Sequence, residues 1–432
     1  MGRHELTISY KTFGCRVNQA DTDLIMRQFW NRGFTVVPFG NPVDVIVVNT
    51  CTVTHVADRK ARKSINRILR MHPDAMVAIT GCYATVQEAQ VSRLFPGAKV
   101  FPINAHDKMV DDICSAMGLE ADDVVTNLRP RSLRFSRTRP IIKVQEGCDH
   151  VCAFCIVPRA RGTSVSRGVA EIVSDVKSLV ADGAVEVVLS GVSLGRYLCP
   201  DTSCRVGGLI TQILADTDVP RLRLSSLEPM DFDRSLVDLL SNRRLCSHLH
   251  LPLQSGSNAI LAKMRRPYTR EDYRELIESI RAVSPDISIA TDVMVGFPGE
   301  SDADFAKTID FINEIEFASL HVFPYSRRLR TLAAHSEETV DATVKRARVS
   351  ELIELASRGA LRYASRFDET VREIVWERAI DGLLVGLTDN YLRVTSRADS
   401  ELAGKLGLAR LQLCSDGDIV AVPTRWTKLG AI

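Results

Sequence analysis

Three cysteines lie within eight residues of one another, at Cys148, Cys152 and Cys155 in the string GCDHVCAFC. Three thiolates this close can bind one metal centre, and their soft sulfur suits an iron–sulfur cluster, zinc or copper(I). A structural zinc site normally has four protein ligands, and the local candidate for a fourth is His150. A four-iron cluster held by three thiolates instead leaves one iron open, as a catalytic centre requires. Zinc therefore fits this spacing less well than a cluster.

Three further cysteines each follow a short apolar run that predicts a β-strand. The runs cover residues 7–13, 43–49 and 76–80, and the cysteines are Cys15, Cys51 and Cys82. The intervals between these cysteines, 36 and 31 residues, match the length of one βα repeat. Parallel strands joined by right-handed crossovers point the same way, so residues just beyond their carboxyl ends gather at one edge of the sheet. We predict that these thiols are neighbours in space; the alternative is three buried structural cysteines.

The elements that must position the cysteines follow a repeated βα pattern. In the N-terminal third, helix-like stretches at 21–32 and 58–71 follow the first two strands, and the run before Cys51 is apolar without alternation, as in a strand covered on both faces. This predicts a doubly wound α/β domain over residues 1–128.

Six further strands are predicted downstream, with helices between them. The strands are 141–145, 185–189, 222–226, 247–253, 287–295 and 319–325, and two of the helices are 270–283, with Thr269 as its cap, and 302–315. Six βα repeats predict a partial (βα)6 barrel over 129–366. The compact cysteine loop follows the first of these strands, at the end where barrel enzymes keep their chemistry.

The chain changes texture after residue 366. Five short alternating runs separated by turn residues occupy about sixty residues and predict a small OB-like β-barrel over 367–432. The fold class is thus α/β with a small C-terminal β-barrel.

Composition narrows the class of protein. Of 432 residues, 45% are hydrophobic and 25% charged, which excludes a disordered or collagen-like chain. The net charge of +2 means that a nucleic acid would be held by local patches. Eleven cysteines without a secretory signal, and no apolar run of membrane-spanning length, indicate a cytoplasmic protein with metal-binding or redox cysteines and no membrane partner.

These strings together resemble a known family. CDHVCAFC fits the Cys-x3-Cys-x-aromatic-Cys loop of radical S-adenosylmethionine (SAM) enzymes, with Phe154 as the aromatic residue. The other matching strings are GCRVNQADTD at 14–23, VVNTCTVTHVADRKARKSI at 47–65, TGCYA at 80–84, HLHLPLQSGSNAILAKMRRPYTREDY at 248–273 and DVMVGFPGES at 292–301. With them the chain resembles the radical SAM methylthiotransferases over nearly its whole length, and its tail resembles their TRAM domain. GCRVNQ and NTCTVTHVADRK are most similar to the branch that acts on threonylcarbamoyladenosine next to the tRNA anticodon.

The resemblance implies two [4Fe-4S] clusters and S-adenosyl-L-methionine as cofactors. Cys148, Cys152 and Cys155 would hold the cluster that binds SAM through its open iron. The auxiliary cluster, which carries the sulfur to be transferred, would be held by Cys15, Cys51 and Cys82. The implied partners are tRNA, an electron donor such as flavodoxin or ferredoxin, and a sulfur source.

Two kinds of alternative remain open. The same chemistry could act on isopentenyladenosine of tRNA or on an aspartate of ribosomal protein S12. The other is a protein of another class, a non-catalytic RNA-binding protein with structural zinc in one or both trios.

Three residues beyond candidate barrel strands are predicted to contact SAM: Glu228, Gln254 and Gly296. An ordinary βα turn explains Gly296 equally well. His248 and His250 alternate on one strand face and are interpreted as satisfied core or pocket-wall histidines rather than ligands.

Basic residues without acids cluster at 59–70, at 129–143 and at Arg327, Arg328 and Arg330. They could follow tRNA phosphates, with Tyr391 or Trp426 stacking on bases; the alternative is ordinary solvated surface. Arg330 stands where the family usually has glycine, which leaves the local loop shape open.

Overall fold

The computed structural model of the chain describes residues 5–119, 137–337, 339–397 and 400–425. These residues form two compact units, each assembled from segments that are distant in sequence. The first unit contains the described residues up to 119 together with 146–164 and 326–334. The second unit contains 137–145, 165–325 and the described residues from 335 onward. The compact cysteine loop therefore shares a unit with the N-terminal third of the chain.

The first unit is built on a five-stranded parallel sheet with the strand order β2-β1-β3-β4-β5. Its strands are β1 (Thr7–Thr12), β2 (Thr35–Val36), β3 (Val45–Thr50), β4 (Met76–Gly81) and β5 (Ala98–Val100). Its helices are α1 (Arg16–Asn31), α2 (His55–Met71), α3 (Cys82–Val86), α4 (Glu88–Leu94), α5 (His106–Ala116) and, after the cysteine loop, α6 (Val157–Arg161).

Every residue of β3 is buried, because helices cover both faces of the sheet. Val45 and Val47 pack with residues of α1 and α5, whereas Ile46 and Val48 pack with residues of α2 and α4 on the other face. The predicted doubly wound α/β arrangement is confirmed.

Helix α1 begins five residues before its predicted start, with Cys15 as its N-cap. Its first turns bury polar residues, among them Asn18, Asp21 and Thr22. Hydrophobic periodicity identifies helices by the spacing of apolar residues. It therefore missed the start of α1, where the buried side chains are polar.

The second unit contains the six predicted barrel strands in two parallel groups. The first group is β6 (Ile141–Glu146), β7 (Val165–Ser166), β8 (Glu186–Gly191) and β9 (Arg221–Leu224), in the order β7-β6-β8-β9, and the second is β10 (His248–His250), β11 (Ser288–Val295) and β12 (Ser319–Pro324). The helices are α7 (Val169–Ala181), α8 (Val206–Asp216), α9 (Ser235–Leu239), α10 (Asn258–Lys263), α11 (Arg270–Val283), α12 (Asp302–Ile315) and α13 (Ala342–Ser365). A parallel bridge between Leu222 and Leu245 joins the two groups.

Side chains alternate across these strands, as strand geometry requires. Val187, Leu222 and Val293 belong to the core that the helices cover. Glu186, Arg223 and Asp292, on the same three strands but out of phase with them, lie on the opposite face, which we call the inner face. The structure confirms the partial barrel, and α11 and α12 have their predicted bounds, each with a capping box.

The tail is a closed five-stranded barrel in the order β13-β14-β15-β17-β16 around the fully buried Trp376. Its strands are β13 (Val371–Ile380), β14 (Leu383–Thr388), β15 (Arg393–Ser396), β16 (Leu406–Leu413) and β17 (Ile419–Arg425). The predicted small barrel is confirmed. The domain boundary after residue 128 lies outside the described residues, and the one after 366 stays a prediction.

A buried cluster of charged side chains on β8 and β9 of the partial barrel contacts the C-terminal β-barrel. Glu186 contacts the guanidinium groups of Arg221 and Arg223, with nitrogen–oxygen distances of 2.7 Å to each. Arg223 also donates to the carbonyl oxygens of Thr388 and Asp389, at 3.0 and 3.1 Å. The two arginines therefore neutralise the buried charge of Glu186. Arg223 also supplies hydrogen-bond donors to buried carbonyl oxygens of the C-terminal barrel.

None of the described helices combines the length and apolar character needed to cross a lipid bilayer.

Candidate metal centres and binding residues

The three dispersed cysteines meet at the carboxyl edge of the first unit's sheet. Cys15 caps α1, Cys51 follows β3, and Cys82 opens α3 directly after β4. The side-chain oxygen of Asn18 lies 3.7 Å from the sulfur of Cys15 and 3.9 Å from that of Cys82. A Cβ on Gly14 would lie 3.1 Å from the sulfur of Cys51. The structure thus confirms the prediction that these three thiols are neighbours in space.

Backbone geometry at Gly81 brings Cys82 into this group. Gly81 has a φ of 94°, and a Cβ there would lie 2.3 Å from the side-chain oxygen of Asn49 and the carbonyl oxygen of Thr50. Only glycine fits this close approach of two strand ends.

Asn18 is completely buried and fully engaged at the same edge. Its amide nitrogen donates to the carbonyl oxygens of Phe13 and Thr50 at 2.9 and 3.0 Å, and Asn49 donates back to the Asn18 carbonyl at 2.9 Å. Such a satisfied buried network fixes the strand ends that carry the cysteines.

Burial governs the protonation of these thiols. Desolvation raises the pKa of Cys82 to about 12, against the lowering effect of the nearby Arg161 guanidinium, and burial also raises the pKa of Cys51. Buried thiols of this kind become ligands when a cationic metal centre takes the place of their protons.

The compact trio lies in the loop between β6 and α6. The Cys148 N–H donates to the Gly162 carbonyl at 3.0 Å, so the loop closes on its own return segment. Gly147, with a φ of 70°, makes this possible, because a Cβ there would lie 1.8 Å from the carbonyl oxygen of Thr163. All three cysteines are half-buried rather than enclosed in a core.

Arg161, in the short helix that follows the compact trio, contacts the surroundings of the dispersed trio. It lies six residues after Cys155, its side chain is 2% exposed, and one terminal nitrogen donates to Asn18 at 2.5 Å and to Asp21 at 2.9 Å. The other terminal nitrogen donates to Glu146 at 2.6 Å. A buried cation therefore touches the same asparagine that contacts two of the dispersed cysteines.

No pattern in the sequence pointed directly to Arg161 or Asn18 as site residues. The available signal was the run of polar residues after Cys15 and the arginine in the short helix after the cysteine loop, and both are ordinary surface patterns when read alone.

The donor set of each trio fits a cluster better than zinc. A tetrahedral zinc about 2.3 Å from each sulfur holds its sulfurs about 3.8 Å apart. In the described parts of the chain, neither trio brings three sulfur atoms within 4.8 Å of one another. A four-iron cluster accommodates wider spacing, because each cysteine binds a different iron.

The segment at 326–334 packs within the first unit. Arg328 is buried and donates to Asp58 at 2.8 Å and to Thr52, the residue after Cys51, at 2.6 Å. The prediction that Arg328 follows RNA phosphates is therefore wrong, because its charge is already paired inside the protein.

The loop at Arg330 has the backbone conformation expected of the glycine that the family usually has there. Arg330 has a φ of 70°, in the left-handed region that glycine favours. We expect Arg330→Gly to leave the free energy of unfolding unchanged or raise it by up to about 1 kcal/mol, because removing the Cβ relieves strain while costing unfolded-chain entropy. Arg330→Val should lower it by about 1–2 kcal/mol. Thermal unfolding of both variants tests this, and equal stability of the two would contradict it.

The remaining RNA candidates have mixed outcomes. Arg59, Lys60, Lys63, Arg67 and Arg70 are exposed on α2. The run at 129–143 lies partly outside the described residues, as does all of Trp426. The ring of Tyr391 stacks on His248 with 4.1 Å between ring centroids, which accounts for both side chains without RNA.

Three polar side chains in the second unit match what a polar ligand would need. Gln254 has a φ of 68°, and its buried side-chain oxygen has no hydrogen-bond partner among the described residues. The hydroxyl groups of Ser190 and Ser225, near the carboxyl ends of β8 and β9, are likewise buried without a partner in the described chain. Buried polar atoms of this kind commonly mark a ligand site.

The other two predicted SAM contacts are already engaged. Glu228 forms an ion pair with Arg266. The Gly296 N–H donates to Glu300 at 2.7 Å, and a Cβ on Gly296 would lie 2.5 Å from the side chain of Lys345. Packing alone therefore explains Gly296.

Two family models match separate parts of the chain. Residues 7–101 match the model of "Uncharacterized protein family UPF0004", and residues 142–312 match that of the radical SAM superfamily. The threonylcarbamoyladenosine tRNA methylthiotransferase MtaB of Bacillus subtilis (strain 168) is 35% identical over 93% of this chain and 92% of its own. A tRNA-2-methylthio-N(6)-dimethylallyladenosine synthase of Geobacillus kaustophilus is 31% identical over 93% and 79%.

Among solved structures, the radical SAM methyltransferase TsrM from Kitasatospora setae superposes with a TM-score of 0.55 over 88% of this chain and 80% of its own. At 15% sequence identity this likeness concerns the fold. The relatives named MtaB and the radical SAM match place the chain in the radical SAM methylthiotransferase family, as an enzyme of the MtaB-type branch.

Proposed function

We propose that the chain is a tRNA (N6-L-threonylcarbamoyladenosine-C2)-methylthiotransferase, which adds a methylthio group to threonylcarbamoyladenosine next to the anticodon. The observation that carries the proposal is that both cysteine trios belong to the first unit, where Arg161, six residues after Cys155, donates to the Asn18 that contacts Cys15. Replacing hydrogen by sulfur at an aromatic carbon requires a radical source and a sulfur source at one place. The substrate is proposed from the name of the Bacillus subtilis relative.

We assign the compact trio, Cys148, Cys152 and Cys155, to the [4Fe-4S] cluster that binds SAM, and the dispersed trio, Cys15, Cys51 and Cys82, to an auxiliary [4Fe-4S] cluster. Family membership implies one such cluster and SAM. When bound, these cofactors supply the radical that removes the hydrogen and the sulfur that replaces it.

The chain's own residues hold and shield these groups. Asn18 fixes the strand ends that carry the dispersed trio, and Arg161 places a positive charge beside thiolates that would otherwise repel one another. In the second unit, the buried side-chain oxygen of Gln254 has no partner among the described residues, and we propose it as a contact to SAM. Glu228, paired with Arg266, and Gly296, packed against Lys345, stay predictions for the same role, because SAM would have to displace those neighbours.

Recognition of tRNA is proposed for the exposed basic face of α2, which begins four residues after Cys51. Its five exposed cations would contact phosphates without reading sequence. The reaction also requires an electron donor of the flavodoxin or ferredoxin type and a source of sulfur, and we place the enzyme in the cytoplasm with these partners.

Mass spectrometry of tRNA nucleosides from a strain lacking this gene tests the substrate. We expect 2-methylthio-threonylcarbamoyladenosine to disappear, its unthiolated precursor to accumulate, and a plasmid copy to restore the product. Unchanged product would refute the substrate. Loss of the methylthio group from isopentenyladenosine or from ribosomal protein S12 instead would redirect the same chemistry to another target.

Anaerobic reconstitution with iron and sulfide tests the class of protein. The expected preparation is brown and holds about eight irons per chain, four for each cluster. A colourless preparation with stoichiometric zinc and no iron would overturn the enzymatic proposal.

A further inference from the structure

The second unit contains a group of ligand-type side chains outside both cysteine trios. His250 on β10, Asp292 on β11 and His321 on β12 meet around one carboxylate oxygen. Asp292 Oδ1 lies 2.9 Å from His250 Nε2 and 3.1 Å from His321 Nδ1. One potential ligand atom from each residue lies within 4.8 Å of the other two.

Strand register fixes this arrangement. Asp292 is paired with His321 across β11 and β12, and His250 is paired with Ala290, two residues before Asp292. The neighbouring residues Leu251 and Val293 pack in the helix-covered core, so the three ligand residues share the inner face. The backbone therefore holds the cluster without help from a flexible loop.

A further hydrogen bond orients His250. Its Nδ1 lies 2.5 Å from the hydroxyl oxygen of Ser226, which turns Nε2 toward Asp292. Metal-binding histidines characteristically use their second ring nitrogen in this way, because the bond fixes the tautomer and the ring plane.

Exposure also suits a ligand site. The side chains of His250 and Asp292 are 15% and 25% exposed, whereas that of His321 is 64% exposed, so one side is open to solvent. An ion from solution could therefore reach the three ligand atoms from that side.

We propose that His250, Asp292 and His321 bind one first-row divalent transition-metal ion, with its remaining coordination positions open to an oxygen ligand. Two imidazoles and one carboxylate on one side of an ion form the facial arrangement that such metals adopt, whereas Mg²⁺ and Ca²⁺ favour oxygen ligands alone. The site goes beyond the proposed function and does not depend on it, since it uses residues of the second unit and none of the cysteines.

His250, interpreted from the sequence as a core or pocket-wall histidine, gains a ligand role only through this proposal. Asp292 and His321 lie 42 and 71 residues further along the chain, and no local spacing joins the three. Only the register of three parallel strands brings them together.

The test uses the full chain with its iron–sulfur clusters reconstituted, so that the six cysteines are occupied by iron, followed by chelator treatment and gel filtration. Mn²⁺ is the probe, because it prefers nitrogen and oxygen ligands over thiolates. Electron paramagnetic resonance of free Mn²⁺ measures binding. We expect the wild-type chain to bind one Mn²⁺. Ser226→Ala should bind it about 10–100-fold more weakly, and Asp292→Asn and His321→Ala should not bind it.

Several controls keep the test decisive. Asn at 292 retains a hydrogen-bond acceptor for both histidines, and the exposure of His321 makes its replacement harmless to the core. His335→Ala, which removes an exposed histidine of the same unit outside the cluster, should bind Mn²⁺ like the wild type. Iron content and circular dichroism of each sample report whether the variants fold. The proposal would be overturned if the wild type bound none of Mn²⁺, Co²⁺ and Zn²⁺. It would also be overturned if Asp292→Asn bound the metal as tightly as the wild type does.

Discussion

Replacing Cys148, Cys152 and Cys155 together by alanine is expected to abolish SAM cleavage and to lower the iron content from about eight to about four per chain. These cysteines share one loop that closes on Gly162 within the first unit, and we assign to them the only cluster with a position for SAM. Without their thiolates the loop offers no soft ligand. Iron and sulfide analysis and chromatography of 5′-deoxyadenosine measure the result.

The matched variant replaces Cys15, Cys51 and Cys82 by alanine. It should also lose about four irons but continue to cleave SAM, now without forming a methylthio product. Cys414→Ala removes a free thiol outside both trios and should change neither iron content nor product. Normal thiolated product from the dispersed-trio variant would remove the auxiliary cluster from the proposal.

Glu186→Gln is expected to lower the free energy of unfolding of the second unit by about 3–5 kcal/mol. The Glu186 side chain is fully buried and pairs with Arg221 and Arg223, whose side chains are 1% exposed or less. Glutamine keeps the shape but leaves two buried guanidinium groups without a counter-charge. Urea unfolding at neutral pH, followed by circular dichroism, measures the loss.

The pH dependence of this effect has a definite sign. Burial favours protonation of Glu186, but the charges of Arg223 and Arg221 outweigh it and lower its pKa from 4.5 to about 2. A carboxyl group whose pKa falls on folding stabilises the protein above its unfolded value and loses that effect as pH approaches its folded value. The difference between wild type and Glu186→Gln should therefore shrink between pH 4.5 and pH 2.

Glu275→Gln is the control for this variant. Glu275 pairs with Arg234 at 3.2 Å outside the buried cluster, and the two side chains are 67% and 72% exposed, so its replacement should cost less than about 1 kcal/mol. A loss of similar size in the two variants would contradict the argument from burial.

Periodicity and turn chemistry predicted most of the architecture. The bounds of α11 and α12 agree with the predicted ones because an apolar stripe and a cap each mark them locally. The carboxyl-edge position of Cys15, Cys51 and Cys82 followed from the handedness of βα crossovers alone. These features depend on residues close together in sequence or on a rule that holds for all parallel sheets.

The partners of buried charges could not be predicted in the same way. Arg161 meets Asn18 across 143 residues, and Arg328 meets Asp58 across 270. In the sequence these arginines are indistinguishable from surface cations, because nothing local records which acid or amide lies opposite them in the fold. The same holds for the three residues of the proposed divalent-metal site.

The discontinuous composition of the first unit has a consequence for synthesis on the ribosome. Ala333 donates to the carbonyl oxygen of Ala153 at 2.7 Å and Arg328 pairs with Asp58, so the unit is complete only after residue 334 has emerged. At about 5–20 residues per second, translation reaches that point roughly 10–40 seconds after the N-terminal third. During this interval the nascent chain carries cysteines whose final protein surroundings have not been made.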